Sequence, residues 1–121
     1  MIIGVGIDVV DLARFAATLE RVPRLAERLF TPAERALPVR SLAGRFAVKE
    51  AMAKALGSPG GMSWQDVSVL RGLHGKPELV IEGSVARLAD ELGITNWHVS
   101  ISHDGPVAVA YVIAERLGPS A

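Results

Sequence analysis

The sequence predicts an α+β fold, with helices packed on a mainly antiparallel sheet, from three features. Residues 3–9, and 97–114 around a central Asp104-Gly105, alternate apolar with small or polar side chains, the period of a strand. Residues 41–56 form one run rich in Ala, Leu, Met and Lys, the composition of a helix. The order strand, helices, strands, helix, hairpin is that of an α+β chain.

The elements follow in chain order. In Ile3-Gly4-Val5-Gly6-Ile7-Asp8-Val9, alternation puts Gly4, Gly6 and Asp8 on one face, where two missing side chains leave room for a close approach. Leu12, Phe15, Ala16 and Leu19 have helical spacing, and Pro23 ends or bends that helix. Leu25 and Leu29 mark a short second helix. Thr31-Pro32-Ala33-Glu34 is a capping box that starts a third, which Pro38 stops. The long helix over Ser41–Leu56 closes on Gly57, and Ser58-Pro59-Gly60-Gly61 is a loop. Residues 66–70 and 78–82 read as strands joined by a turn at Gly75-Lys76-Pro77. Ser84–Leu92 is an amphipathic helix closed by Gly93. Asp104-Gly105 then joins the last two strands as a hairpin.

The 121 residues suit one domain, 1–121, with one core. Half are apolar and only 5% aromatic, so that core is built mostly of Val, Leu, Ile and Ala. Cysteine is absent, which excludes disulfides and thiolate chemistry and fits a reducing compartment. No apolar run approaches the roughly 20 residues of a membrane span. The opening Met1–Val5 has no basic region, and Asp8 and Asp11 follow soon after, so the expectation is a cytoplasmic protein. Net charge is zero, yet residues 1–56 carry nine Lys/Arg against six Asp/Glu and residues 57–121 four against seven. Arg14, Arg21, Arg24 and Arg28 cluster in the basic half. They are either a solvated helix face or a surface for an acidic partner or phosphates.

Gly4-Val5-Gly6 is no dinucleotide fingerprint: Val9 takes the third glycine position, and the glycines lie inside the strand. The Gly57–Gly61 loop lacks the Gly-Lys-Ser/Thr ending of a phosphate loop. Asp8 is costly in an apolar strand without a partner. It either caps the next helix or binds a cation, with Asp11 the better cap. Glu50 pairs at i,i+4 with Lys54 on a face shared with Phe46 and Ala53, which is semi-apolar for a surface ion pair. His103, at the hairpin mouth, is either a turn residue or a donor to a phosphate or substrate oxygen. Ser102 and His103 point to opposite sides of one strand, which disfavours a serine triad.

In this order and spacing the segments resemble the holo-acyl-carrier-protein synthase family of phosphopantetheinyl transferases. The resemblance rests on Gly6-Ile7-Asp8, Arg14-Phe15, Phe30-Thr31-Pro32-Ala33-Glu34, the full stretch Arg45 to Gly57, Gly75-Lys76-Pro77, and His98 to Asp104. It covers about residues 3–115. Two departures are a short Glu34–Ser41 connection and the Ser-Pro-Gly-Gly loop.

The resemblance implies magnesium-dependent transfer of phosphopantetheine from coenzyme A to a carrier serine, with adenosine 3′,5′-bisphosphate leaving. It implies Asp8 and Glu50 as magnesium ligands and Glu50, Lys54 and His103 as the catalytic set. Lys49, Lys54, Gly57 and His103 are implied to hold coenzyme A, and Arg14, Arg21 and Arg24 the acyl carrier protein. It further implies a homotrimer, with no nucleic-acid or membrane partner. The other readings are an idle carrier-binding module and a transferase serving polyketide or peptide synthase carriers.

Overall fold

A computed structural model describes residues 1–118. The chain opens with a strand, β1 (Ile2–Asp11), and turns into α1 (Leu12–Arg21), α2 (Leu25–Leu29) and α3 (Pro32–Arg35). The long α4 (Val39–Ala55) follows, then β2 (Val67–Arg71), β3 (Pro77–Ile81), α5 (Gly83–Leu92), β4 (Asn96–Asp104) and β5 (Val107–Glu115).

Helix α4 is the axis of the molecule. It lies on one face of an antiparallel sheet ordered β1-β5-β4, with α1 and β2 against its other sides. Leu42, Ala43, Ala47, Val48, Ala51, Met52 and Ala55 are all buried, so α4 is covered nearly all round. Small side chains make this possible, because Ala and Gly let neighbouring backbones close in on the helix. The sheet meets it with Val10, Ala108, Ala110, Val112 and Ala114, each at most 7% exposed. Phe15 stacks on Phe46 at 5.2 Å and meets Phe30 edge-on at 6.2 Å, which pins α1 to α4.

The predicted α+β class holds, with differences of detail. β1 extends beyond residues 3–9 at both ends, and α4 starts at Val39 rather than Ser41. Pro38 is its N-cap, a place where a missing N–H costs nothing. The capping box is present in both arms: Glu34 N–H donates to Thr31 Oγ1, and Thr31 N–H donates to Glu34 Oε1. The β2–β3 connection spans Gly72–Lys76, with Arg71 already opposite Pro77, rather than turning at Gly75–Pro77.

Among the described residues the strands form two sheets, because β2 pairs only with β3. Side chains occupy the polar groups on the other edge of β2: Val69 N–H donates to Glu34 Oε2, and Val69 C=O accepts from Arg45 Nε. Among the described residues no helix is long and apolar enough to cross a membrane.

Candidate active site

The site starts with two glycines. A Cβ on Gly4 would fall on the carbonyl of Ala55, and one on Gly6 on the carbonyl of Ala51. Strand β1 therefore rides directly on the backbone of α4. Two residues further along the same face, Asp8 reaches the side chains of the helix. Lys54 Nζ donates to Ile7 O at 2.9 Å and to Asp8 Oδ1 at 3.3 Å.

Asp8 and Glu50 line one cleft of about 410 Å³, together with Arg14 and the apolar side chains of Phe15, Leu25, Leu29 and Phe46. Burial, and then the charge of Asp8, push the Glu50 carboxyl above its ordinary value, while Lys54 pulls it back. Asp11, not Asp8, caps α1, with Oδ2 accepting from Arg14 N–H at 2.8 Å. The structural alternative for Asp8 is thus taken by its neighbour.

The two carboxylates suit a hard divalent cation. Lys54 already places an ammonium on Asp8, and Glu50 feels the Asp8 charge. No group of three or more His, Cys, Asp or Glu able to hold a metal occurs among the described residues. A pair of carboxylates with room for outside oxygens is a donor set that a hard divalent cation can share with water and phosphate oxygens.

Other predicted residues sit elsewhere. Lys49, expected to hold coenzyme A, is fully buried, and this expectation is corrected. Its Nζ donates to Glu34 Oε1 at 2.6 Å and to Leu29 O at 2.7 Å, beneath the cleft rather than in it. His103, expected in the catalytic set, does not join the carboxylates within one chain. It pairs with Ala108 on β5, which stands between β4 and β1. Its Nε2 lies 3.0 Å from Arg40 O.

His103 instead rims a second cavity of about 180 Å³ with Arg45, Arg71, Ser41, Gly75 and Pro77. Burial, and further down the scale the nearby Arg71, lower the Arg45 pKa from its ordinary value, against the pull of Glu34. Two guanidiniums and an imidazole around one cavity make a seat for an anion.

Gly57 is exposed and lines neither cavity. It closes α4, with its N–H on Lys54 O and Ser58 N–H on Ala53 O. Arg14, Arg21, Arg24 and Arg28 are all exposed, and only Arg14 reaches the carboxylate cleft. Ser100 and Ser102 lie on the sheet face turned away from α4, so no serine triad forms with His103.

Sequence reasoning missed Arg71 and gave Arg45 no role of its own. The available signal for Arg71 was a cation ending a strand just before a glycine-bounded turn.

Comparison with known proteins bears on this arrangement. Residues 4–112 match the 4′-phosphopantetheinyl transferase superfamily. A holo-[acyl-carrier-protein] synthase of Beutenbergia cavernae is 60% identical over 116 residues, covering 96% of this chain and all of that one. The crystal structure of the Neisseria meningitidis holo-[acyl-carrier-protein] synthase superposes with a TM-score of 0.88 at 34% identity, covering 96% of this chain and 100% of that one. The Helicobacter pylori synthase in complex with coenzyme A superposes with a TM-score of 0.81 at 32% identity, covering 92% and 99%.

Proposed function

The chain belongs to the holo-[acyl-carrier-protein] synthases of the 4′-phosphopantetheinyl transferase superfamily, and from that premise we propose the reaction in detail. It moves phosphopantetheine from coenzyme A to a serine of apo-acyl carrier protein in the cytoplasm. The serine oxygen attacks the phosphorus bearing pantetheine. The bond from that phosphorus to the bridging oxygen breaks, and adenosine 3′,5′-bisphosphate leaves. Such a reaction asks the protein for positioning and for stabilisation of oxygen charge.

The observation that carries this reading is the joint placement of Asp8, Glu50 and Arg14 along one cleft, with Lys54 paired to Asp8. Asp8 and Glu50 would hold magnesium, which when bound would stabilise charge on the phosphate oxygens. Glu50 accepts the serine proton, directly or through a water, from its place in the cleft beside Asp8. Lys54, half exposed, sets its charge beside the leaving group. The test is the mass of an apo-carrier after incubation with this protein, coenzyme A and magnesium. One phosphopantetheine per carrier is expected, and an unmodified carrier that still binds would leave only a binding module.

Arg14 joins the cleft to the exposed basic helices, so it registers an acidic carrier surface against the carboxylates. Arg14→Glu should raise KM for the carrier about tenfold or more while leaving KM for coenzyme A within a few-fold, since a single rim charge acts mainly on its own partner. Equal losses for both substrates would show Arg14 to be part of the cleft wall alone.

Assembly completes this reading. The sheet face turned away from α4 carries Val5, Ile7, Val9 and Tyr111, which are 42–59% exposed, with Ile7 opposite Tyr111 and Val9 opposite Val109. An antiparallel sheet facing water presents polar residues there. This apolar face supports a homotrimer, in which the Arg45–Arg71–His103 cavity of one protomer can complete the carboxylate cleft of another. Sedimentation equilibrium should return a trimer, and a monomer at micromolar concentration would remove this part of the account.

A further inference from the structure

The mechanism above leaves one buried charge pair unused. Glu34 is 2% exposed and Lys49 is fully buried, 15 residues apart in sequence on the neighbouring helices α3 and α4. Removing two charges from water is expensive, and apolar side chains of similar volume would pack α3 on α4 at least as well. What an ion pair adds is direction, through hydrogen bonds of fixed geometry.

Those bonds reach three backbone groups. Lys49 Nζ donates to Leu29 O, Glu34 Oε1 accepts from Thr31 N–H, and Glu34 Oε2 accepts from Val69 N–H. Leu29 lines the carboxylate cleft and Val69 lines the Arg45–Arg71–His103 cavity. Val69 is held a second time, its carbonyl accepting from Arg45, one helical turn before Lys49. Lys49 also lies 5.2 Å from the centroid of Phe30, whose ring meets Phe15 on the cleft side. The pair thus touches one wall of each cavity and ties both to α4.

We infer that Glu34 and Lys49 are positioning residues for the transfer reaction, acting through the backbones of Leu29 and Val69 to set both substrate-facing walls against α4. The inference rests on the proposed transferase function for its kinetic readout and on coenzyme A binding for a readout independent of turnover. Both side chains are buried, so they act from behind those walls.

The test compares three proteins: the wild type, the double variant Glu34→Gln/Lys49→Met, and Val85→Ala. The double variant leaves no unpaired buried charge. Val85→Ala trims a buried side chain of α5 that lines neither cavity, and serves as the matched loss of stability. In the double variant, KM for the carrier and for coenzyme A should both rise about tenfold with kcat within a few-fold, the pattern of lost ground-state positioning. Its coenzyme A dissociation constant, measured by calorimetry, should rise by a similar factor. Val85→Ala should lower the melting temperature with both KM values and the dissociation constant unchanged.

Wild-type KM and dissociation constants in the double variant would overturn the inference and leave the pair a packing device. Should the double variant fail to fold, Glu34→Asp takes its place, keeping the charge but withdrawing the carboxylate by one methylene. It must show the same weakened binding for the inference to stand. A wild type that binds coenzyme A without transferring it would defeat the transferase reading, while the binding comparison would still judge the pair.

Discussion

Glu50→Gln should abolish transfer, by at least about 10³-fold, and at the same time raise the melting temperature of the metal-free protein at pH 7. The first effect follows from losing a positioned base, itself worth roughly 10²–10⁴-fold, together with a magnesium-holding carboxylate. The second follows from electrostatics. The Glu50 carboxyl is pushed above its ordinary value of 4.5 by burial and by Asp8, so its ionised form is less favourable in the folded chain than in the unfolded one. With a raised folded pKa, the penalty is absent below the unfolded value and grows as pH rises through the folded value. The advantage of glutamine should therefore be present at pH 7 and vanish below about pH 4.5, where both states are protonated. Thermal unfolding followed by circular dichroism across that range reads the stability, and carrier mass reads the transfer. A variant less stable than wild type at every pH would mean that Glu50 is a structural residue.

The second large effect belongs to Gly6→Ala. The added methyl would occupy the position of the Ala51 carbonyl, and backbone cannot rotate away as a side chain can. Helix α4 must lift off β1, at a cost of about 3 kcal/mol or more. Set against a total stability of about 5–15 kcal/mol, this should lower the melting temperature by roughly 10 °C or more. The same displacement separates Lys54 from Asp8, so the folded remainder should transfer poorly. Adding alanine at Gly57, which meets nothing within 4 Å but has φ +84°, should cost only the strain of a left-handed residue, about 1 kcal/mol. Near-equal melting temperatures for the two variants would argue that β1 and α4 are not in backbone contact.

These expectations show which parts of the molecule a sequence makes legible. Alternation along β1 was enough to place Gly4, Gly6 and Asp8 on one face, because a strand has only two. The i,i+4 spacing of Glu50 and Lys54 put both on one helical face, and the glycines supplied the reason for close approach. Lys49 was assigned to coenzyme A from the family motif alone, and a motif does not say which of its lysines the tertiary packing buries. Its partner Glu34 was visible as a capping residue, but a capping box accounts for only one carboxylate oxygen. The other oxygen closes the edge of β2, a tertiary contact with no local signature.

His103 lies at the hairpin mouth, one residue inside the end of β4. Its distance from Asp8 depends on strand order, and β5 lying between β1 and β4 follows from pairing rather than from chain order. Arg71 went unnoticed for a related reason, since its meaning comes only from Arg45 across the cavity.

In the proposed function Asp8 and Glu50 together hold one divalent cation against a pyrophosphate. Manganese titrated into the protein and followed by electron paramagnetic resonance, with and without coenzyme A, tests it most directly. One ion per chain should bind, more tightly when coenzyme A is present, and both Asp8→Asn and Glu50→Gln should lose it while still binding coenzyme A. Undiminished manganese binding in either variant would contradict the claim.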